Sequence, residues 1–271
     1  MGLDGPLGVF VDAVTGKMME LERAEIAYHA ALGAVVERAI GAVCVVNPGI
    51  PHAAFNAAWN IDAEGQDPSE YVHRIETLFA RARVHHQFVT TPISRPPEIA
   101  AAILDRGYAV ASRRTWMELM VAPPTAPDDP RIEIFTADDA GAWARIVAEG
   151  MEAPHAYDTL VQVALRSARA PGHFLLLATY FGEPAGACEV AVDDGVGTIR
   201  RLAVRAPFRQ RDVARALISK GIEGAYARDA FKIITRVFQG RGGERFLESF
   251  GFVGMQVSGE LTRDPPPFLL D

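Results

Sequence analysis

What most constrains this chain is a supersecondary pattern that occurs twice, once in each half. In the first half, His86 to Val89 reads as a short strand. A Pro-punctuated turn comes next, then a helix from about Pro97 to Arg106, Gly107-Tyr108, and a strand through Trp116 to Met120. In the second half, Lys232 to Phe238 reads as a strand, followed by the glycine-rich turn Gly240 to Gly243. A helix from about Glu244 to Phe250 comes next, then Gly251-Phe252 and a strand near Gln256 to Thr262. Gly accepts the left-handed conformation that ends a helix, and the aromatic behind it can pack back on the last turn. Two copies of one unit, about half a chain apart, point to a tandem duplication.

The break between the copies is Val121 to Arg131, where four prolines and two adjacent aspartates deny both helix and ladder formation. The expected domains are residues 1–122 and 132–271, joined by a linker at 123–131. A chain of 271 residues is long enough for two such domains. Pro68 to Arg83 reads as a helix of the first half. In the second half, Ala137 to Gly150 and Asp158 to Ala168 read as helices and Phe174 to Tyr180 as a buried strand. Ala185 to Val192 and Val196 to Val204 form a hairpin across Asp193-Asp194-Gly195. Val213 to Ala227 is an amphipathic helix, with Val213, Leu217, Ile218, Ile222 and Ala225 on one face. The fold class expected is mixed α/β, with a mostly antiparallel central sheet and flanking helices in each domain.

The net charge of −7 argues against a general nucleic-acid binder. Cys44 and Cys188, the two cysteines, lie far apart and form no metal or redox spacing. Met1 to Val11 carries Asp4 and no Lys or Arg, so it does not read as a signal peptide. No apolar run reaches the ~18 residues that span a bilayer. The expectation is a soluble, cytoplasmic protein with no metal, nucleic-acid or membrane partner.

The chemistry concentrates at Ile199 to Ile218, where a strand ending in Leu202-Ala203-Val204 runs through Pro207 and a basic loop into the amphipathic helix. Helix N-termini leave N–H groups unpaired and carry partial positive charge, which suits a phosphate. Six arginines (200, 201, 205, 209, 211 and 215) against Asp212 make this stretch basic inside an acidic chain, and guanidinium forks match phosphate oxygens.

These residues resemble the GCN5-related N-acetyltransferases. That family carries R/Q-x-x-G-x-G/A ahead of its third main helix, after a strand of the type L-x-V-x-P. Here Leu202-Ala203-Val204-Arg205-Ala206-Pro207 leads into Arg209-Gln210-Arg211-Asp212-Val213-Ala214. The family's later helix, closing in Gly-Phe, corresponds to Phe246-Leu247-Glu248-Ser249-Phe250-Gly251-Phe252. The resemblance covers about Arg131 to Arg263. It implies an N-acetyltransferase using acetyl-CoA as acyl donor to an amine acceptor. Amides near Leu202, Ala203 and Val204 would pair with the pantetheine arm. The loop Arg209, Gln210, Arg211, Asp212, Val213 and Ala214, with Arg215, would hold the pyrophosphate.

Three positions depart from the family. Asp212 stands where the family has Gly; it tolerates unusual backbone angles, yet its carboxylate could cap the helix and repel a diphosphate. Leu247 stands where many members carry a Tyr that protonates the departing thiolate, and Gly240 where an Asn is frequent. Glu189 lies on the hairpin where many members place a base, and a protonated amine needs one; the plainer alternative is an outward residue of an alternating strand. His155 and Tyr157 are candidates for an acceptor pocket. A non-catalytic acyl-CoA sensor or interaction module is the alternative function, and a homodimer is left open.

The first half has no counterpart of the arginine loop, so it is expected to be a degenerate copy that binds no CoA. His85-His86 points to opposite faces of a strand and lacks a third ligand. Gly240-Arg241-Gly242-Gly243 lacks the Lys-Ser/Thr of a P-loop and reads as a turn. Trp59, Trp116 and Trp143 read as packing residues, and Pro265 to Leu270 as a docked or frayed tail.

Overall fold

The computed structural model describes residues 6–123 and 128–263, with side chains from residue 14 onward. Residues 124–127 of the expected linker and the tail Pro265 to Leu270 lie outside the described residues. Two compact units divide the chain, one holding residues 34–115 and the other 116–255. Gln256 to Thr262 groups with the first unit and not with the second half that contains it in sequence.

The first unit begins with α1 (Pro6–Ala31), a helix that sequence reading missed. Three strands come next, β1 (Val35–Ala39), β2 (Ala42–Val46) and β3 (Ala57–Trp59), each antiparallel to the one before. The helix α2 (Pro68–Ala82) then crosses to β4 (Gln87–Thr90), which pairs parallel to β3 through Ala57↔Gln87. Next come α3 (Ile99–Asp105) and β5 (Ala109–Leu119). Tyr71, Val72, Ile75 and Phe79 of α2 are buried, with Phe88 of β4 and Ile103 of α3 in the same apolar cluster.

The second unit repeats this plan. β6 (Ile132–Thr136), also missed, pairs antiparallel with β7 (Phe174–Tyr180), and α4 (Ala140–Gly150) and α5 (Tyr157–Ser167) lie between them in sequence. β8 (Glu183–Asp193) and β9 (Val196–Val204) continue the antiparallel order, joined by Asp194 and Gly195, both at positive φ. The helix α6 (Val213–Tyr226) crosses to β10 (Lys232–Phe238), parallel to β9. α7 (Gly242–Glu248) and the start of β11 (Phe252–Thr262), as far as Met255, complete it, and the rest of β11 pairs with β4 in the first unit. Each unit thus holds a mostly antiparallel sheet with one parallel pair, and a helix connects the two strands of that pair, as a parallel connection requires.

The repeated helix ends are also seen. Gly107 has φ +85° and Gly251 φ +88°, with Tyr108 and Phe252 buried directly behind them. A side chain at 251 would meet the Val121 carbonyl oxygen at 2.8 Å, so only Gly fits. α6 packs Val213, Leu217, Ile218 and Ile222 against Cys188, Val190 and Ile199 of the sheet. Each such buried aliphatic side chain contributes roughly 1.5–3 kcal/mol. Trp59, Trp116 and Trp143 are fully buried. No helix among the described residues is long and apolar enough to cross a membrane.

Candidate acyl-donor cleft

The parallel pairing of β9 and β10 runs from Lys232↔Val196 to Thr235↔Ile199 and stops there, although both strands continue. The strands fork, and a cleft of about 870 Å³ opens in the fork. Leu202 and Val204 of β9, Val237 and Phe238 of β10, the start of α6 and the start of α7 line it. This size is ordinary for a small-molecule site. Beyond Ile199, β9 stays paired with β8 through Ala187↔Ala203 and Gly186↔Val204. Its other edge faces the cleft, which leaves main-chain groups for an extended ligand to join as an added strand.

The fork is prepared by a bulge. The β8–β9 register slips between Ala187 and Glu189, so that Glu189 lies opposite Arg200 while Ala187 lies opposite Ala203. Arg201 at the slip has φ +49°. An extra residue of this kind bends the strand and re-aims the residues beyond it. Arg201 is 4% exposed, and its guanidinium donates to the carboxylate of Glu189, which is 0% exposed. Glu189 therefore does not line the cleft.

At the other end the loop from Arg209 to Asp212 leads into α6. Gln210 has φ +62° and Asp212 φ +57°, one on each side of Arg211, and left-handed residues within a turn of this sort can bring neighbouring backbone N–H groups together into an anion-binding concavity. The Asp212 carboxylate makes no capping bond to α6; it lies half-exposed, 3.8 Å from Arg215 Nε. The first-turn N–H groups of Val213, Ala214 and Arg215 have no side-chain cap, and these three residues line the cleft at the positive end of the helix. No acidic residue lies in that first turn.

The arginines divide their duties. Arg209 braces the loop, donating to the carbonyls of Val204 and Gly150 at 3.3 and 3.0 Å and pairing with Glu152 at 2.8 Å. Arg205 pairs with Glu149 at 2.6 Å and lies outside the cleft lining. Arg211 stands over the Tyr180 ring and Arg215 over Phe250. Gly150, the last residue of α4, touches β9 so closely that a Cβ would sit 2.9 Å from the Val204 nitrogen.

Other expected residues fall elsewhere. Leu247 lines the cleft and is 4% exposed, so the wall there carries no hydroxyl. Thr235 is the hydroxyl at the fork, and it donates to the Ile199 carbonyl oxygen at 2.8 Å. His155 is exposed. The Tyr157 hydroxyl lies against the start of α4 at Gly141, and neither residue lines the cleft. Gly240 donates its N–H to the Glu244 carboxylate, so the glycine-rich turn caps α7. Among the described residues no three of His, Cys, Asp and Glu group as a metal site would need.

The corresponding helix of the first unit, α2, begins differently. Asp67 accepts the Glu70 N–H at 2.8 Å, Pro68 occupies the first turn, and Glu70 adds a negative charge there. Carboxylates of the chain itself already occupy that helix end.

Residues 138–252 match the model of the acetyltransferase (GNAT) family. Among solved structures, a GCN5-related N-acetyltransferase from Kribbella flavida is similar, with a TM-score of 0.64 and 14% identity over 89% of this chain and 94% of that one. One from Sphaerobacter thermophilus gives 0.63 and 18%, over 85% of this chain and 79% of that one. A tandem GNAT protein from the clavulanic acid biosynthesis pathway gives 0.53 and 13%, over 83% and 79%. No curated protein sequence matches the chain. At these identities the structural likeness speaks for the fold, and the coverage takes in both units. The chain is therefore a tandem arrangement of GNAT folds, and its residues 138–252 are a domain of the acetyltransferase (GNAT) family.

Proposed function

We propose that the second unit is an N-acyltransferase that moves an acetyl group from acetyl-CoA to the amine of a small molecule or peptide. The observation that carries this reading is the uncapped N-terminus of α6, with Gln210 and Asp212 in left-handed conformations, opening onto the forked strands. A diphosphate fits this cradle: Val213, Ala214 and Arg215 supply N–H groups and Arg215 supplies charge, whereas Arg211, stacked on Tyr180, lies outside the cleft lining. The pantetheine arm would extend along β9 at Leu202 to Val204. Bound there, acetyl-CoA supplies the activated thioester.

The residues of the chain define what else is needed. Glu189 is sealed against Arg201 and acts as a positioning residue for the bulge, not as the base. The amine then reacts from the fraction that solvent has already deprotonated, since a free amine is mostly protonated near neutral pH. Leu247 offers no proton to the departing sulfur, but a thiol with a pKa of about 8.5 is an adequate leaving group without one. The first unit, with α2 sealed by Asp67, serves as a copy without an anion site.

Calorimetric titration of the full chain with acetyl-CoA tests the reading. Binding in the micromolar range is expected, and no heat up to millimolar concentration would remove its foundation. Leu247 and the burial of Glu189 favour a second reading, a non-catalytic acyl-CoA-binding module. Acetyl-CoA binding with no thiol release across a broad amine and peptide panel would select it.

A further inference from the structure

Six arginines line the cleft, at 200, 201, 209, 215, 236 and 241, against one acid, Asp212. Five of them are engaged within the protein. Arg201 donates to Glu189, Arg209 to two carbonyls and Glu152, and Arg200 to Thr198. Arg215 lies 3.8 Å from Asp212, and Arg236 stands against Trp116. Arg241 differs. It is exposed and lies over the Phe238 ring, 4.5 Å from the centroid, and among the described residues its guanidinium makes no hydrogen bond or ion pair. All five of its donors are therefore open to a ligand.

The surroundings of Arg241 leave room for one. A Cβ added at Gly240 or Gly242 would meet nothing within 4 Å, so space is open on both sides of the residue. Glu244, the nearest acid in sequence, accepts the Gly240 N–H at 2.8 Å. Phe246 of α7 lines the same part of the cleft, braced edge-on by Phe250. The start of α6 belongs to this lining too, so the anion cradle and Arg241 open onto one space. Arg205 and Arg211 lie outside it.

Coenzyme A carries a third phosphate, a monoester on its ribose, one sugar ring away from the diphosphate. Such a group bears a charge of roughly −1.5 to −2 near neutral pH. With the α6 amides committed to the diphosphate, the monoester needs a cation of its own, and a guanidinium fork matches its oxygens. The geometry points to Arg241 as the residue that holds the ribose 3′-phosphate of the donor, on the α7 side of the cleft; this rests on the acyl-CoA reading above. The glycine-rich turn before α7 is then a specificity element. It makes donor choice depend on the phosphomonoester, so that thioesters of 3′-dephospho-CoA are poor donors.

Calorimetry on the full chain tests this by comparing acetyl-CoA with its 3′-dephospho analogue. The proteins are the wild type, Arg241→Gln, Arg241→Lys and Arg211→Gln, each first shown by thermal melting to be folded. The wild type should bind acetyl-CoA roughly tenfold or more tighter than the analogue, as a charge-assisted contact provides. In Arg241→Gln that ratio should fall below about threefold, through weaker binding of acetyl-CoA, while Arg241→Lys, which keeps the charge, retains most of it. A purely structural role for Arg241 would weaken both thioesters together with the ratio intact, and that result overturns the subsite. So does equal binding of the two thioesters by the wild type. A ratio that collapses in Arg211→Gln and not in Arg241→Gln also overturns it, since the nucleoside would then leave on the Tyr180 side. If neither thioester binds, the acyl-CoA reading itself falls and the subsite with it, an outcome distinct from equal binding.

Discussion

Glu189 and Arg201 form a buried ion pair across β8 and β9, at the step where the strand register slips. A carboxylate in that setting holds a backbone shape. Removing one partner of such a pair strands the other charge and costs about 3–5 kcal/mol, whereas replacing both by apolar groups is often near neutral. Glu189→Ala should therefore lower the melting temperature sharply, and adding Arg201→Met should restore most of it. In the same experiment, the pH–rate profile of Glu189→Gln should keep its rise with pH, following the acceptor amine. Loss of that rise at an unchanged melting temperature would return Glu189 to the role of base.

The α6 cradle makes a paired prediction. A non-Gly residue in the left-handed region costs about 1 kcal/mol, and Asp212 lines the cleft beside the proposed anion site. Asp212→Gly should stabilise the loop and tighten acetyl-CoA binding several-fold. Ala214→Pro keeps a helix-compatible backbone but deletes one first-turn N–H, and should weaken binding about tenfold. Equal affinities for both variants in calorimetry would move the diphosphate away from α6.

Gly150 sets how near α4 comes to β9. Gly150→Val should push the helix end away from Ala203 and Val204, break the Arg209 contact with the Gly150 carbonyl, and weaken acetyl-CoA binding at least tenfold. Hydrogen exchange should rise at Val204 to Arg209 while the core of α6 stays protected.

The first unit contains an acid-sensitive group. Burial pushes the pKa of His86 down to about 4 against a small opposing pull from Glu76. The ring stacks on Phe79, and Tyr108, whose own pKa is raised by burial, shares a 2.8 Å hydrogen bond with Nε2. The unfolded chain therefore binds a proton at pH values where the folded one does not. Stability should be constant above about pH 7, fall as pH drops from 6.5 toward 4, and level off below, with a total on the order of 3 kcal/mol. Burial alone would raise the Glu76 pKa, but the Arg106 hydrogen bond and the charges of Arg263 and Arg106 outweigh it, so acid also weakens that contact. His86→Gln should flatten the slope between pH 4 and 6.5 in denaturant titrations, leaving only the Glu76 part at lower pH.

The helix and strand runs from Phe174 to Phe238 were legible because each buries one face and so carries a clear period. β1 was not, since its residues are mostly exposed on both faces and leave no alternation to read. β6 hid for a related reason: Glu133, Phe135 and Thr136 are exposed, and the strand is held by its pairing with β7. The loop at Arg209 to Asp212 could be placed from charge and register, but the side-chain pairings could not. Nothing in the sequence separates Arg209, committed to Glu152, from Arg211, stacked on Tyr180. Glu189 resembled a base by position along a strand; only the bulge, a tertiary event, shows it turned to Arg201.

The pairing of β4 with the end of β11 has a consequence for how the protein is made. Thr90 Oγ1 donates to the carbonyl of Gly259, 169 residues later, so the first unit's sheet is completed only after the residues of the second unit have been made. Until then the edge of β4 exposes backbone groups ready to pair with any passing strand, which is a route to aggregation. A chain that ends early, after Gln256, keeps every residue of the anion cradle and yet leaves the first unit's sheet unsealed. Translation interrupted before Gly259 would thus yield products with the cleft-lining residues present and an open, adhesive first unit.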